Sequence, residues 1–188
     1  MDAYEAMARR TSTRGFRTEP VPREVIARII AAAVRAPNHK LTEPWRFAVL
    51  TGASARQFAE LRRRHRAARF PDPAAPEAAR AIEKTHREAL ATPAFVVVLC
   101  AEAEDPVRRE EDFAAAMMAT ENLLLAATAE GLGSYLRTGG LMQDEALRAL
   151  VRAPAGHRIV AMVSLGYPEA PEPPKRRADP ADRTEWLD

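Results

Sequence analysis

The chain has 188 residues, of which 47% are hydrophobic and 29% charged, and its formal net charge is +2. This composition is that of a globular protein with room for one domain, since a single core serves chains of up to roughly 250 residues. No apolar run reaches the roughly 20 residues of a membrane-spanning helix, and the first residues lack the pattern of a signal peptide. We therefore expect a cytoplasmic protein with no membrane partner.

Two helices are predicted ahead of the first strand. Tyr4–Arg10 forms the first helix, and the second begins near Pro22. The second helix carries apolar residues at helical spacing, which are Ile26, Ile29, Ile30 and Val34. Pro37 ends this pattern and starts an irregular loop that closes at Pro44. Trp45–Thr51 is rich in aromatic and β-branched residues, which predicts a strand.

The middle of the chain alternates long helices with a short strand. Ala53–Phe70 and Ala74–Ala91 are rich in Ala, Arg and Glu, which predicts two helices with polar outer faces. Phe95–Ala101 is a continuous apolar run, which predicts a strand buried on both faces, with Cys100 as a small buried hydrophobe. Phe113–Glu130 is apolar almost all round, so we expect a buried central helix that also supplies a dimer interface.

The last third of the domain contributes two more strands. Gly133–Thr138 and Arg158–Leu165 are the predicted strands, and Asp144–Val151 is a short helix between them. The order of helices and strands predicts one α+β domain of three layers over residues 1–166.

A Pro-rich segment follows this domain. Residues 167–188 are charged and contain five prolines, so they predict an extended arm or a disordered end rather than part of the core. Trp186 and Leu187 near its tip favour an arm that docks, and a free tail is the alternative.

The motifs of several enzyme classes are missing from the sequence. Gly131–Leu136 begins like a dinucleotide-binding fingerprint, but it lacks the third Gly and follows a helix rather than a strand. The four histidines lack the spacing of metal ligands, and no phosphate-binding loop, zinc helix or nucleophile elbow occurs. We therefore expect neither a metal site nor hydrolysis by an activated Ser.

Positive charge is concentrated toward the N-terminus. Residues 1–70 carry 15 Lys and Arg against 6 Asp and Glu, and Arg62–Arg66 is the densest run. Such a run could contact nucleic acid, but it lies in a helical stretch without interleaved aromatic residues. We interpret it as a solvated helix face and expect no nucleic-acid partner.

Three segments, taken in order, resemble motifs of the FMN-dependent nitroreductase family. The first is RRTSTRGF at Arg9–Phe16, and the second is RAPNHK at Arg35–Lys40, followed by PWRF at Pro44–Phe47. The third is GLGSYLRTG at Gly131–Gly139. The resemblance spans nearly the whole chain, and the short length is most similar to the compact NAD(P)H nitroreductase subgroup.

The resemblance implies an FMN site at a subunit interface. FMN carries a phosphate dianion and a ring that gains negative charge on reduction, so fixed cations suit its site. By the resemblance, the flavin contacts are Arg9, Arg10, Thr11, Arg35, His39, Leu136, Arg137 and Thr138. Arg35 and His39 lie on the loop that in the family completes the site together with the other subunit. Which arginine meets the phosphate and which the ring stays open.

The resemblance also implies the architecture and the activity. It implies a central mixed, largely antiparallel sheet flanked by helices, in an obligate homodimer whose C-terminal arm packs on the partner subunit. NADH or NADPH would pass a hydride to FMN, and an electron-poor small molecule such as a nitroaromatic or a quinone would take the electrons. The cofactor carries this chemistry, so no catalytic side chain is predicted. Two alternatives stay open: a flavin-binding or storage protein, and a related enzyme with other flavin chemistry such as dehalogenation or flavin rearrangement.

Overall fold

The structure is a computed structural model that describes residues 1–173 and 175–187. Its helices are α1 (Ala3–Arg9), α2 (Arg23–Ala33), α3 (Gly52–Ala67), α4 (Pro76–Ala91), α5 (Pro106–Ala129) and α6 (Glu145–Leu150). Its strands are β1 (Trp45–Thr51), β2 (Ala94–Ala101), β3 (Gly133–Arg137) and β4 (His157–Gly166). Short 3-10 helices lie at His39–Leu41, Gly140–Gln143 and Pro180–Arg183.

The four strands form one sheet in the order β1-β2-β4-β3, and each neighbouring pair is antiparallel. The predicted largely antiparallel sheet is therefore confirmed. Within the described residues, the parallel pairing that makes the sheet mixed is an isolated bridge between Ser12 and Ser134. This bridge lays the N-terminal segment along the outer edge of β3. The opposite edge of the sheet is β1, which pairs on one side with β2.

Helices cover both faces of the sheet and give the predicted three layers. In β2, Phe95, Val97 and Leu99 pack on one face with α3, α4 and α6. Val96 packs on the other face with α2 and α5. Because every residue from Ala94 to Cys100 is at most 2% exposed, the strand is buried on both faces as predicted. Each buried Val, Leu or Phe side chain of this strand contributes roughly 1.5–3 kcal/mol of hydrophobic stabilisation, so β2 is the centre of the core.

Helix α5 begins at Pro106, seven residues before the predicted start at Phe113. The side chain of Asp105 caps the helix by accepting a hydrogen bond of 3.0 Å from the backbone N–H of residue 107, and Pro106 suits the first turn because it needs no N–H partner there. The first two turns are rich in charged residues, so apolar spacing does not predict that the helix begins at Pro106. At 24 residues α5 is long, yet no helix within the part of the chain described is apolar enough to cross a membrane.

One face of α5 stays uncovered in the single chain. Leu123 and Leu124 are buried against α2 and the sheet, whereas Phe113 and Met118 are 37% and 41% exposed. A single protomer therefore buries only part of this helix, and the dimer interface expected for its remaining apolar surface stays a prediction. The exposed apolar side chains need another surface to become buried.

The N-terminal segment and the start of the C-terminal arm run side by side. The backbone N–H of Arg17 donates to the carbonyl of Tyr167 at 2.8 Å, and that of Glu169 donates to the carbonyl of Gly15 at 3.1 Å. Farther along, the described part of the arm is exposed, and the ring of Trp186 is 86% exposed. The arm therefore begins on its own protomer and ends without cover from it.

Candidate functional site

The residues after α1 are held in an extended conformation beside β3. Helix α1 ends at Arg9, and Arg10 has extended backbone angles (φ −60°, ψ 117°). The backbone N–H of Thr13 then donates to the carbonyl of Ser134 at 2.9 Å. This pairing holds the segment of residues 10–12 at the edge of the sheet rather than leaving it in a mobile terminus.

A small cavity of about 400 Å³ opens at this segment. It is lined by Met7, Ala8, Arg10, Thr11, Ser12, Lys175 and Arg177. Three of these side chains are cations and two carry hydroxyl groups, and none of the lining residues that the structure describes is a carboxylate. Such a set of donors suits a phosphate, which accepts several charge-assisted hydrogen bonds at once.

Arg10 and Arg9 lie in different environments. The Arg10 side chain is 18% exposed, and its Nε atom is 3.9 Å from the Glu121 carboxylate, which is too far for a hydrogen bond. The Arg9 side chain is 63% exposed and pairs with Glu5 on its own helix, at 3.0 Å. The structure thus brings Arg10 and Thr11 of the predicted residues into the cavity, whereas Arg9 does not line it.

The predicted residues at the end of β3 divide between the two faces of the sheet. Leu136 is partly buried and packs with Phe47 in the layer of α2 and α5. Arg137 lies on the other face, with its guanidinium carbon 4.1 Å from the centre of the Tyr135 ring. Burial lowers the pKa of Arg137, and the charge of Arg14 adds to that shift. Thr138 is exposed at the end of the strand.

The interpretation of Arg62–Arg66 as a solvated helix face holds for Arg64 alone, because the other four members of the run are half-buried. Arg62 and Arg66 are half-buried, because residues four apart share one face of α3, and here that face is turned toward the sheet. Burial, followed by the charge of Arg137, lowers the pKa of Arg62 to about 10. Arg64 on the opposite face is exposed, as a solvated face requires.

The loop carrying the predicted residue His39 is strained and rests on α5. Lys40, Leu41 and Glu43 have positive φ angles of 52°, 54° and 43°, and a non-Gly residue in this region costs roughly 1–2 kcal/mol. The Thr42 hydroxyl donates to the buried carboxylate of Asp112 at 2.7 Å, which anchors the loop. Strain of this kind persists only where surrounding contacts hold it, and it is concentrated at functional sites.

One chain does not bring His39 to the Arg10 cavity. The Nδ1 atom of His39 is 3.0 Å from the carboxylate of Glu111, whereas Arg10 lies near Glu121, ten residues farther along α5. At 1.5 Å per residue the two positions are about 15 Å apart along the helix. Arg35 is exposed at the end of α2 and does not line the cavity either.

Two cavity residues, Lys175 and Arg177, escape prediction because they lie about 165 residues from Arg10 in the sequence. The sequence does contain one signal for these cavity residues, which is the run of three basic residues at Lys175–Arg177 in an otherwise Pro-rich arm. It becomes meaningful once the pairing of Gly15 with Glu169 shows that the arm returns to the N-terminal segment.

A larger groove of about 1020 Å³ lies at the opposite edge of the sheet. It runs between α2 and the ends of β1 and α4, and its lining includes Ile26, Ile30, Val49 and Leu90. None of the predicted flavin residues lines it. Val49 and Leu90 are 40% and 48% exposed, so the groove presents apolar surface to solvent.

Metal and thiol chemistry have no support at these sites. Across the ranges 1–173 and 175–187 no cluster of three potential metal-binding side chains occurs. Cys100 is buried, as predicted, and burial together with the charge of Asp112 raises the pKa of its thiol to about 11. The thiol is therefore protonated at neutral pH and a poor nucleophile.

The sequence is similar to proteins of one family. Residues 7–167 match the model of the nitroreductase family. YfhC of Bacillus subtilis (strain 168), which carries the name of an NAD(P)H nitroreductase, is 33% identical over 169 residues, or 89% of this chain and 85% of that protein. A 5,6-dimethylbenzimidazole synthase of Rhodospirillum rubrum is 30% identical over 175 residues, or 87% of this chain and 81% of that protein.

Solved structures show the same fold over the full length of the chain. A nitroreductase-like family protein from Bacillus cereus has a TM-score of 0.83 at 26% identity and covers 100% of this chain and 96% of its own. A nitroreductase with bound FMN from Desulfitobacterium hafniense DCB-2 has a TM-score of 0.77 at 22% identity and covers both chains completely. The family match extends from within α1 to just past the end of β4, so it includes both the N-terminal segment with Arg10 and the strand β3 beside it. The chain therefore belongs to the nitroreductase family.

Proposed function

We propose that this protein is an FMN-dependent oxidoreductase that moves a hydride from NAD(P)H, by way of the flavin, to an electron-poor acceptor such as a nitroaromatic or a quinone. The observation that carries this proposal is the cavity in which Arg10, Lys175 and Arg177 converge. Membership of the nitroreductase family and the similarity to YfhC support it.

The lining of the cavity fits the phosphate end of FMN. Arg10, Lys175 and Arg177 would neutralise the phosphate charge, and the hydroxyls of Thr11 and Ser12 would donate further hydrogen bonds. Arg137 is half-buried and its Nε atom is itself buried without a hydrogen-bond partner within the described chain, so an anionic group nearby would offset the cost of burying this charge. When bound, FMN supplies the hydride chemistry, which the protein side chains do not have.

The side chains of the protein would bind FMN and orient it. The pairing of Thr13 with Ser134 sets Arg10 and Arg14 along one extended segment, about 13 Å apart at 3.3 Å per residue. In the proposed complex, Arg10 and Arg14 would supply fixed cations at the two ends of an elongated anionic ligand. An Arg keeps its charge at neutral pH, so these cations stabilise negative charge throughout the reaction without a proton transfer.

A homodimer would complete the site. The exposed Phe113 and Met118 of α5 and Leu41, which is 81% exposed on the strained loop, supply apolar surface for a second copy. His39 is on this loop and Arg35 lies just before it, and neither residue lines the Arg10 cavity. We therefore infer that both serve the site of the partner subunit. This arrangement explains why the loop is held rigidly on α5.

The C-terminal arm would strengthen the dimer. Its start packs on its own protomer, whereas Trp186 and Leu187 are each 86% exposed. The groove between α2 and the outer edge of β1 offers apolar residues and an edge of strand backbone that no strand of the described residues pairs with. We propose that residues 167–188 form an arm in which Lys175 and Arg177 stay at the cavity of their own protomer, while the end of the arm beyond them crosses to the partner and occupies this groove, because extended chain suits an open strand edge.

Steady-state kinetics test the activity. With FMN-saturated protein, initial rates over a grid of NAD(P)H and a quinone or nitroaromatic acceptor should give parallel double-reciprocal lines, as expected when the donor leaves before the acceptor binds. Turnover with neither NADH nor NADPH would contradict the proposal. Such a result would favour a flavin-binding or storage protein instead.

The similarity to a 5,6-dimethylbenzimidazole synthase favours one alternative, an enzyme with other flavin chemistry. Such an enzyme would use the same cavity for its flavin. Product analysis separates the two: the proposed reductase returns FMN unchanged after many turnovers, whereas the alternative consumes FMN or changes a substrate that is not an electron acceptor. Mass spectrometry of the flavin after turnover makes this distinction.

A further inference from the structure

The first half of the C-terminal arm runs antiparallel to the N-terminal segment. An antiparallel bridge joins Phe16 to Pro168, and the backbone N–H of Arg14 donates to the carboxylate of Glu172 at 3.4 Å. Each contact nearer the N-terminus therefore meets a residue farther along the arm. The last contact in this order is the Arg10 cavity, to which the arm contributes Lys175.

Equal lengths of the two chains separate the start of this pairing from the cavity. Seven residues lead from Arg17 back to Arg10, and seven lead from Pro168 on to Lys175. At about 3.3 Å per residue, each length spans about 23 Å when it is extended. The arm therefore has little slack, and it reaches the cavity by following the N-terminal segment.

Hydrogen bonds rather than apolar burial hold this part of the arm in place. Residues 169–173 and 175–177 are all exposed, whereas Tyr167, just after β4, packs against the apolar layer of α2 and α5. An exposed stretch lacks the apolar burial that offsets the entropy cost of ordering a chain. The contacts at the start of the arm therefore decide whether the rest of it stays on the N-terminal segment.

The side chain of Arg17 makes two of these contacts. Its Nε atom donates to the carbonyl of Pro168 at 3.2 Å. Its guanidinium carbon lies 5.8 Å from the centre of the Tyr167 ring, within the range of a cation–π interaction. Both contacts add to the backbone hydrogen bond between the same two segments, and together they set the direction in which the arm leaves β4.

We propose that Arg17 is a positioning residue for the flavin phosphate, because it holds the start of the arm so that Lys175 and Arg177 reach the Arg10 cavity. The inference rests on the proposed function and deepens it, since it adds a residue that acts on cofactor affinity from outside the cavity. Arg17 is not among the residues that line the cavity. When the arm is in place in only a fraction of the molecules, the apparent affinity for FMN falls by that fraction. By reciprocity, bound FMN favours the arm in place.

Fluorescence titration of the full-length protein with FMN tests this role. Arg17→Gln should raise the Kd of FMN about tenfold, the lower end of the effect of losing a charge-assisted hydrogen bond. Arg17→Lys should recover part of the affinity, because Lys keeps a donor and a positive charge. Arg87→Gln, on the exposed surface of α4, is the matched control and should leave the Kd unchanged.

A double-mutant cycle separates positioning of the arm from a general loss of structure. In Lys175→Gln/Arg177→Gln protein the arm brings no cation to the cavity, so Arg17→Gln should raise the Kd of FMN no further. A second tenfold rise in that background would show that Arg17 supports the fold, and it would overturn the proposal. An Arg17→Gln protein that binds FMN as tightly as the wild type does would overturn it as well.

Limited digestion with trypsin reports on the arm even where no FMN binds. Trypsin cleaves after Lys and Arg, and mass spectrometry identifies the cuts within Lys175–Arg177. We expect these cuts to be about tenfold faster in Arg17→Gln than in the wild type, and slower in the wild type once FMN is added. Equal rates in Arg17→Gln and the wild type would overturn the role of Arg17. If the wild type binds no FMN, the proposed function fails, and the cleavage rates alone decide whether Arg17 holds the arm.

Discussion

The side chain of Thr13 occupies the space that a side chain at Gly133 would need. A Cβ atom built on Gly133 would lie 2.5 Å from the Thr13 hydroxyl oxygen and 2.8 Å from its Cβ. This contact lets the N-terminal segment lie directly against β3, where Thr13 donates its backbone N–H to Ser134. The position of Arg10 and the cavity beside it depend on this close approach.

Gly133→Ala should therefore damage both stability and cofactor binding. Thr13 is β-branched and cannot swing away, so the backbone must shift, and overpacking of this kind costs typically 1–3 kcal/mol. We expect a lower Tm and weaker FMN binding, measured by thermal melting and fluorescence titration. The double variant Thr13→Ala/Gly133→Ala should recover part of both losses. A Gly133→Ala protein with unchanged FMN affinity would show that the close approach does not position the cavity.

Arg10 and Lys175 should each contribute to FMN affinity. Arg10→Ala and Lys175→Gln remove one cation from the cavity, and the loss of a charge-assisted hydrogen bond corresponds to a Kd about 10 to 100 times higher. Flavin content after dialysis gives a first readout, and fluorescence titration gives the Kd. Arg87→Ala on the exposed surface of α4 is the control. If Lys175→Gln binds FMN as well as the wild type does, the arm has no part in the site.

Met118→Glu should weaken the dimer. A carboxylate on the exposed apolar face of α5 would be buried without a partner at an interface of two copies. We expect light scattering to show a dimer for the wild type and a monomer, or a concentration-dependent mixture, for the variant. Deletion of residues 168–188 should shift the equilibrium in the same direction. A wild-type monomer would contradict the assembly proposed for Arg35 and His39.

The Cys100 thiol should resist modification in the folded protein. Burial raises its pKa to about 11, so at pH 8 roughly one thiol in a thousand is ionised. A disulfide reagent should label the denatured chain stoichiometrically and the native chain very slowly. Because the folded pKa is above the unfolded value, the unfolded chain binds fewer protons between the two, and the free energy of unfolding should fall as the pH rises through that interval. Rapid labelling of native protein would show that β2 opens readily.

Arg62→Met should stabilise the protein. The lowered pKa of Arg62 means that the fold disfavours its charged form, so an apolar side chain of similar length should raise the free energy of unfolding by about 1 kcal/mol. Chemical denaturation measures this change. A destabilised variant would indicate that the charged guanidinium of Arg62 supports the fold.

Much of the fold follows from local patterns in the sequence. The bounds of β1 match the prediction at Trp45–Thr51, and the apolar run of β2 is buried on both faces as expected. The start of α5 does not follow from apolar spacing, because its first turns are charged and its signal is the cap at Asp105. Local propensity and periodicity thus predict an element correctly where its packing in the fold matches the pattern of its own residues.

The candidate site is predictable only in part, because distant segments assemble it. Arg10 and Thr11 were expected from their motif, and they line the cavity. Lys175 and Arg177 were not expected, since their positions depend on the return of the arm to the N-terminal segment. No pattern within a short window contains that information.

The absorbance of purified wild-type protein, recorded without oxygen before and after addition of NADPH and then NADH, tests the central claim most directly. We predict a visible flavin spectrum, or one that appears on addition of FMN, and its loss on addition of one of the two donors. A protein that binds no FMN would contradict the assignment of the Arg10 cavity. A flavin spectrum that persists with both donors would contradict the proposed reductase activity.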